Sequence, residues 1–206
     1  MTKPLYVYIF VICLLAACTS SAQQSQAPQQ PQPAQQTIKG AGTNPDAGLV
    51  ADFKKRVDDY VKLRSKAESK APVELEAKSK PAEIVVAEKT LGQKVREARP
   101  AAKRGEFFTP ATEAMFRRLL KAPLKGPEGA ENKAIIKDDA PPPKDVPFKV
   151  NAEYPKDVPL STVPPDVLLS LPALPEDVQY RFAGKHLLLY DAKANLIIDF
   201  MFNAIP

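Results

Sequence analysis

Apolar positions repeat every three to four residues through the first half of the chain and every second residue near its end, so helices should come first and strands last. Val50, Phe53, Val57, Tyr60 and Val61 form the first helical stripe, preceded by Asn44-Pro45. A cap residue followed by a proline suits a helix start, and a helix is expected from Pro45 to about Ala67. Ile84, Ala87, Leu91, Val95 and Ala98 form a second stripe. It predicts a helix from Pro81 to Arg99, stopped by Pro100, which has no N–H to continue the ladder. Thr109-Pro110 opens a third helix to Lys121 that buries Met115, Phe116, Leu119 and Leu120, with Pro123 and Gly126 ending it. A short fourth helix fits Ala130 to Lys137.

Beyond residue 137 the pattern changes. Eleven of the 22 prolines lie at or after Pro141, and Pro141-Pro142-Pro143 favours polyproline geometry. Phe148 to Tyr154 alternates like a half-buried strand, and Pro164-Pro165 opens a short helix through Leu171. Val178–Ala183, a Gly184-Lys185 turn, His186–Tyr190, a turn over Asp191–Asn195 and Leu196–Phe202 then read as a three-stranded meander. A small sheet is marginal alone in water, so it should pack on an amphipathic helix. The fold class expected is α+β, with three N-terminal amphipathic helices and a small C-terminal antiparallel β-meander. It forms a single domain over residues 45–206, helical over 45–137 and Pro-rich and β over 138–206.

The beginning of the chain follows neither period. Lys3 precedes an uncharged apolar run from Leu5 to Ala17, 13 residues long. As a helix it would rise roughly 20 Å, short of a hydrocarbon core of about 30 Å, and a polar stretch follows at once. That is the anatomy of a secretory signal over residues 1–17. The run ends in Leu15-Ala16-Ala17-Cys18, which resembles the lipobox of bacterial lipoproteins. Cys13 does not match that pattern, because bulky Ile12 stands before it. The resemblance implies lipidation of Cys18 (a diacylglycerol on its thiol, with palmitate-type chains) after cleavage just before it. It also implies a membrane partner through that lipid. Two or three acyl chains hold a protein stably where one does not. Thr19, where an Asp would signal retention, implies the periplasmic side of the outer membrane if the host is diderm.

Residues 19–36 carry no charge and hold eight Gln and three Pro. Such a segment buries too little apolar surface to offset its chain entropy. Residues 18–44 are therefore expected to be a lipidated, disordered tether reaching roughly 30 Å. Cys13 leaves with the signal and Cys18 takes the lipid, so no thiol remains for a disulfide, a metal ligand or a nucleophile.

Charge adds one asymmetry. Residues 52–104 hold 15 basic and nine acidic side chains, whereas residues 105–206 hold 12 and 14. Basic helices suit anionic headgroups or envelope polymers. The plainer alternative is a solvated face of i, i+4 pairs, such as Glu97 beside Lys94 and Arg96. No nucleic-acid motif is present, and no nucleic-acid partner is expected.

Candidate chemistry is sparse. His186 is the only histidine and falls beside the hairpin turn, where a half-exposed strand position explains it as well as a base or metal ligand does. Asp191 or Asp199 offers oxygen ligands, at spacings that specify no metal. Ser65, Ser161 and Ser170 lie in no nucleophile elbow. Asp58-Asp59 and Asp138-Asp139 are adjacent pairs, and neighbours in sequence do not face each other on a helix. No catalytic residue, metal site or cofactor is assigned, and an enzyme is not expected; a hydrolase would need a carboxylate pair across a cleft.

Two further resemblances involve the later part of the chain. Ala98-Arg99 through Lys103, Gly105, Phe107-Phe108-Thr109-Pro110 and Phe116-Arg117-Arg118, with Tyr180-Arg181-Phe182 and Ala194 through Phe200, is similar to a set of uncharacterised exported bacterial proteins. Leu174-Pro175, Tyr180-Arg181-Phe182, Gly184, Leu187-Leu188-Leu189 and Ile197-Ile198 resemble the C-terminal hairpin of periplasmic nickel/cobalt-homeostasis proteins. Asn195 stands where that pattern tends to have Gly, and its His- and acid-rich stretches are missing, so the hairpin is implied without the metal role. The expectation is a non-enzymatic envelope lipoprotein that binds an envelope protein or a cell-wall polymer, with a small periplasmic metal- or ligand-binding module as the alternative.

Overall fold

The computed structural model describes residues 44–70, 80–139, 148–155 and 158–205. The element order is α1 (Ala47–Glu68), α2 (Pro81–Ala98), α3 (Pro110–Lys121), α4 (Gly126–Asp139), α5 (Pro165–Ser170), β1 (Val178–Ala183), β2 (His186–Asp191) and β3 (Leu196–Met201). The strands form one antiparallel sheet in the order β1-β2-β3. This is the α+β architecture expected. Among the described residues no helix is long and apolar enough to cross a membrane.

The helices begin where the prolines place them. Asn44 accepts the Asp46 N–H on its side chain at 3.0 Å and the Ala47 N–H on its carbonyl at 2.9 Å. It thus turns the chain into α1 two residues later than the proline suggested. Glu83 accepts the Lys80 N–H at 2.8 Å at the start of α2, and Thr109 Oγ1 accepts the Thr112 N–H at 3.3 Å at the start of α3. Each bond satisfies a donor that the first helical turn cannot. The stripes face inward: Phe53, Val57 and Tyr60 from α1, Leu91 and Val95 from α2, and Met115, Phe116 and Leu120 from α3 are buried together. Ile84 and Ala98 lie outside that core and are exposed.

Two expectations need correction. α4 starts at Gly126, four residues before the point its apolar pattern marks. It is held by packing and not by a stripe. Asn132 Nδ2 donates to the Pro123 carbonyl at 2.8 Å, and a Cβ on Gly129 would sit 2.2 Å from the Leu124 carbonyl carbon. Phe148–Tyr154 is not a strand. Asn151 adopts φ 63°, the left-handed region, which ends the alternation. Only a bridge from Glu153 to Leu196 remains, with the Asn151 N–H donating to the Ile197 carbonyl at 2.8 Å. The segment borders β3 and covers the sheet face remote from the helices, where Tyr154, Leu188, Ile197 and Phe200 are buried with Phe148 and Val150.

The sheet is therefore covered on both sides. Val178, Tyr180, Phe182, Leu187, Leu189, Leu196 and Ile198 point to the helices. The pairing shifts between Leu189 and Tyr190, leaving Ile198 as an extra residue in β3. A bulge of this kind re-aims a side chain. Here Asp199, opposite Leu189, turns to the helical side and meets the loop before α3. Gly92 lets α2 approach the β2–β3 turn: a Cβ there would stand 2.9 Å from the Ala194 carbonyl oxygen. Because that neighbour is backbone, Gly92→Ala should cost about 1–3 kcal/mol despite alanine's better helix propensity. Chemical denaturation checks this, and an unchanged or higher midpoint would show that the turn moves freely.

Candidate functional site

β1 and β3 are the sheet's outer strands, and their outer edges differ. Beside β3 the segment around Asn151–Tyr154 takes up backbone groups. Beside β1 the Ser161 N–H donates to the Phe182 carbonyl at 3.1 Å, which places the backbone groups of Phe182 on the outer side. Backbone direction repeats every two residues, so the N–H and C=O of Tyr180 point the same way. Val163 would stand opposite Tyr180 if the pairing continued. It does not. Pro164-Pro165 remove two donors and carry the chain away into α5. Among the described residues no backbone group pairs with Tyr180 on that side.

The divergence opens a groove of about 620 Å³ along β1. Its walls include Val163, Leu168, Leu171, Pro172, Leu174 and Tyr180. Leu168 is 50% exposed and Leu169 84% exposed at its rim, the most exposed large apolar side chain among the described residues. One wall is fixed: the Tyr180 hydroxyl donates to the Pro172 carbonyl at 2.9 Å, and burial pushes that hydroxyl's pKa up, so it stays a donor. Arg181 is the charged residue in the groove's lining, and its Nε and Nη2 donate to Gln179 Oε1 at 3.0 and 2.6 Å. An open strand edge beside an apolar groove is the geometry that accepts an added strand.

Two buried carboxylates brace the sheet that presents this edge. Asp191 accepts the Tyr60 hydroxyl at 2.6 Å, Arg64 Nη1 at 3.3 Å, and the N–H groups of Lys193 and Ala194 at 3.0 and 2.9 Å. Arg64 Nη2 also lies 3.4 Å from Asp177. Burial and the Asp191 carboxylate hold the Tyr60 hydroxyl well above its usual pKa, which keeps its proton in place. Asp199 accepts the N–H groups of Gly105, Phe107, Phe108 and Phe200 at 2.8–3.0 Å. Burial raises its pKa, against the lowering effect of those four donors. The residue types of Asp191 and Asp199 allow oxygen ligation, though their spacing in the sequence specifies no metal. Their oxygens are instead engaged in tying β2 to α1 and β3 to the loop before α3.

The other candidates are also engaged or apart. His186 is half-buried, its ring against Phe148 and Phe202 and its Nδ1 accepting the Asn203 N–H at 3.1 Å. Ser161 Oγ donates to the Ile136 carbonyl at 2.9 Å and Ser170 Oγ to the Val167 carbonyl at 2.7 Å. Ser65 and Asp58 are exposed on α1, and Asp59 pairs with Lys55 at 2.7 Å. Asp138 is exposed near the end of α4, and the Asp139 side chain lies outside the described residues, as do Cys18 and the tether. Among the described residues no group of three or more His, Cys, Asp or Glu converges.

Burial lowers the pKa of His186 from 6.5. The unfolded chain therefore takes up the imidazole proton more readily, and the stability His186 contributes is present above pH 6.5 and lost as pH falls through the lowered folded value. Its Nδ1 must also be unprotonated to accept from Asn203. Thermal melts should drop between about pH 7 and pH 5, and His186→Asn should flatten that slope. An unaltered slope in the variant would assign the drop to other groups.

The groove itself had no signature in the sequence, because it depends on where the chain goes after Pro165. The buried arginine did leave one: Arg64 falls four residues after Tyr60, on the buried stripe of α1. Comparison of the chain with family models, curated proteins and solved structures finds no match.

Proposed function

We propose that the chain is a lipid-anchored cell-envelope protein whose folded part binds a short extended segment of a partner protein along the outer edge of β1. The observation that carries this is the outer side of the Tyr180 backbone, without a backbone partner among the described residues, beside the apolar groove at Leu168 and Leu169. Main-chain bonds from a guest strand to Tyr180 supply affinity, and an apolar guest side chain in the groove supplies selectivity. Arg181 at the groove favours a carboxylate on the guest. The anchor rests on Leu15-Ala16-Ala17-Cys18 and the apolar run before it. A binding role is supported by the buried carboxylates Asp191 and Asp199, whose oxygens are taken up by bonds that brace the sheet.

Each half has its own test. The full chain and Cys18→Ala, grown with an alkyne fatty acid and fractionated, should differ: label and membrane association for the wild type, neither for the variant. An unlabelled, soluble wild type removes the anchor. Selection of displayed random peptides against the protein should enrich segments with alternating apolar positions and an acidic residue. These should lose binding to Leu168→Asp/Leu169→Asp. Peptides with helical spacing, or peptides indifferent to that double variant, would sink the strand-addition reading.

A further inference from the structure

A second surface lies between α1 and α2. Lys62 and Lys66 stand four residues apart on α1, Lys70 follows in the turn just past its end, and Lys94 lines the same groove from α2. Together they rim a groove of about 610 Å³ whose floor includes Leu63, Ala67 and Ala98. Asp59 and Glu97 also line it. Asp59 is engaged by Lys55 at 2.7 Å and Lys62 at 3.6 Å, and Glu97 by Lys94 and Gln93, both at 3.0 Å. Lys66 and Lys70 are exposed and have no carboxylate partner among the described residues. Four lysines against two carboxylates leave the groove cationic.

We propose that this groove binds a linear polyanion. The four-residue spacing sets the Lys62 and Lys66 stems roughly 6 Å apart along the helix, and Lys70 past its end extends them into a row of charges and not a converging pocket. Lysine is a point charge on a flexible stem, without the planar fork by which arginine fixes one carboxylate or phosphate. Such a row fits charges that repeat along a chain and whose positions vary. The inference is independent of the strand-addition reading, whose surface is on β1 and α5.

The test uses the full chain in detergent solution and fluorescent linear inorganic polyphosphate, titrated at low and at physiological ionic strength. Lys66→Glu/Lys70→Glu should weaken binding by about tenfold or more, and added salt should weaken the wild type steeply. Lys121→Glu/Lys125→Glu, the same charge change at the end of α3, should weaken it by about twofold. All four lysines are exposed, and melting curves check that both variants fold; Lys66→Gln/Lys70→Gln replaces the reversal if it does not. Equal losses in the two double variants would overturn the proposal, as would no binding by the wild type at low salt. Tighter, Lys66- and Lys70-dependent binding to phosphatidylglycerol vesicles than to polyphosphate would also overturn it, assigning the groove to lipid.

Discussion

Asp199→Ala should lower the melting temperature by roughly 10–15 °C, corresponding to about 3–5 kcal/mol for a folded unit of this size. Four backbone N–H groups, those of Gly105, Phe107, Phe108 and Phe200, converge on this one carboxylate. Asp199 is fully buried, so its removal takes the acceptor from donors that bulk solvent does not reach. Each orphaned donor costs about 1–3 kcal/mol, less than additively because the loop can relax. Asp199→Asn should fall between variant and wild type, since its amide keeps one acceptor but turns N–H groups toward donors. The pH dependence has a definite sign. Burial raises the folded pKa, so the contribution of Asp199 to stability falls as pH rises through that value. The exposed Asp59, whose bond to Lys55 lowers its pKa, behaves oppositely. A melting temperature for Asp199→Ala within about 2 °C of wild type would mean that the loop before α3 does not depend on the carboxylate.

Asp191→Ala should be comparably damaging, about 3–5 kcal/mol, for a different reason. It removes the acceptor of the Tyr60 hydroxyl and leaves the Arg64 guanidinium, 5% exposed, with only Asp177 beside it. An uncompensated buried charge costs more than the pair it belonged to. Arg64→Met/Asp191→Ala should therefore be more stable than Asp191→Ala alone, a coupling that a double-mutant cycle measures directly. Arg64 Nε is the one buried side-chain polar atom without a partner among the described residues. The guanidinium is thus incompletely satisfied even in the native state, which limits what removing it loses. A double variant less stable than Asp191→Ala would show that the arginine stem matters more for packing than its charge does.

Periodicity carried most of the fold. The stripes of α1, α2 and α3 are readable because three-to-four-residue spacing and bounding prolines agree. The meander is readable because Gly184, at φ 57°, supplies the turn that a two-residue hairpin requires. Phe148–Tyr154 misled because its alternation is real but serves a segment that drapes over the sheet, broken by Asn151 in the left-handed region. α4 extends beyond its weak apolar pattern because Gly129 and Asn132 fit the turn before it. For the site, one signal was present but ambiguous: an Asp within Leu-Ile-Ile-Asp-Phe must be buried if the strand is, and only tertiary structure shows that its partners are backbone donors and not a metal. The open edge at Tyr180 is not legible in the sequence, since it depends on Ser161 closing one end of β1 and Pro164-Pro165 diverting the chain from the rest.

The proposed function requires a partner strand beside β1. Photocrosslinking in living cells tests it most directly, with a benzophenone amino acid at Leu169 in the groove and at Ile135 on α4 as the control. Strand addition at β1 predicts one discrete protein adduct from position 169, lost when Leu168→Asp is added and weaker from position 135, with the crosslinked peptide an extended segment bearing apolar and acidic residues. Equal adducts from both positions, or an adduct from position 169 that persists unchanged with Leu168→Asp, would contradict it.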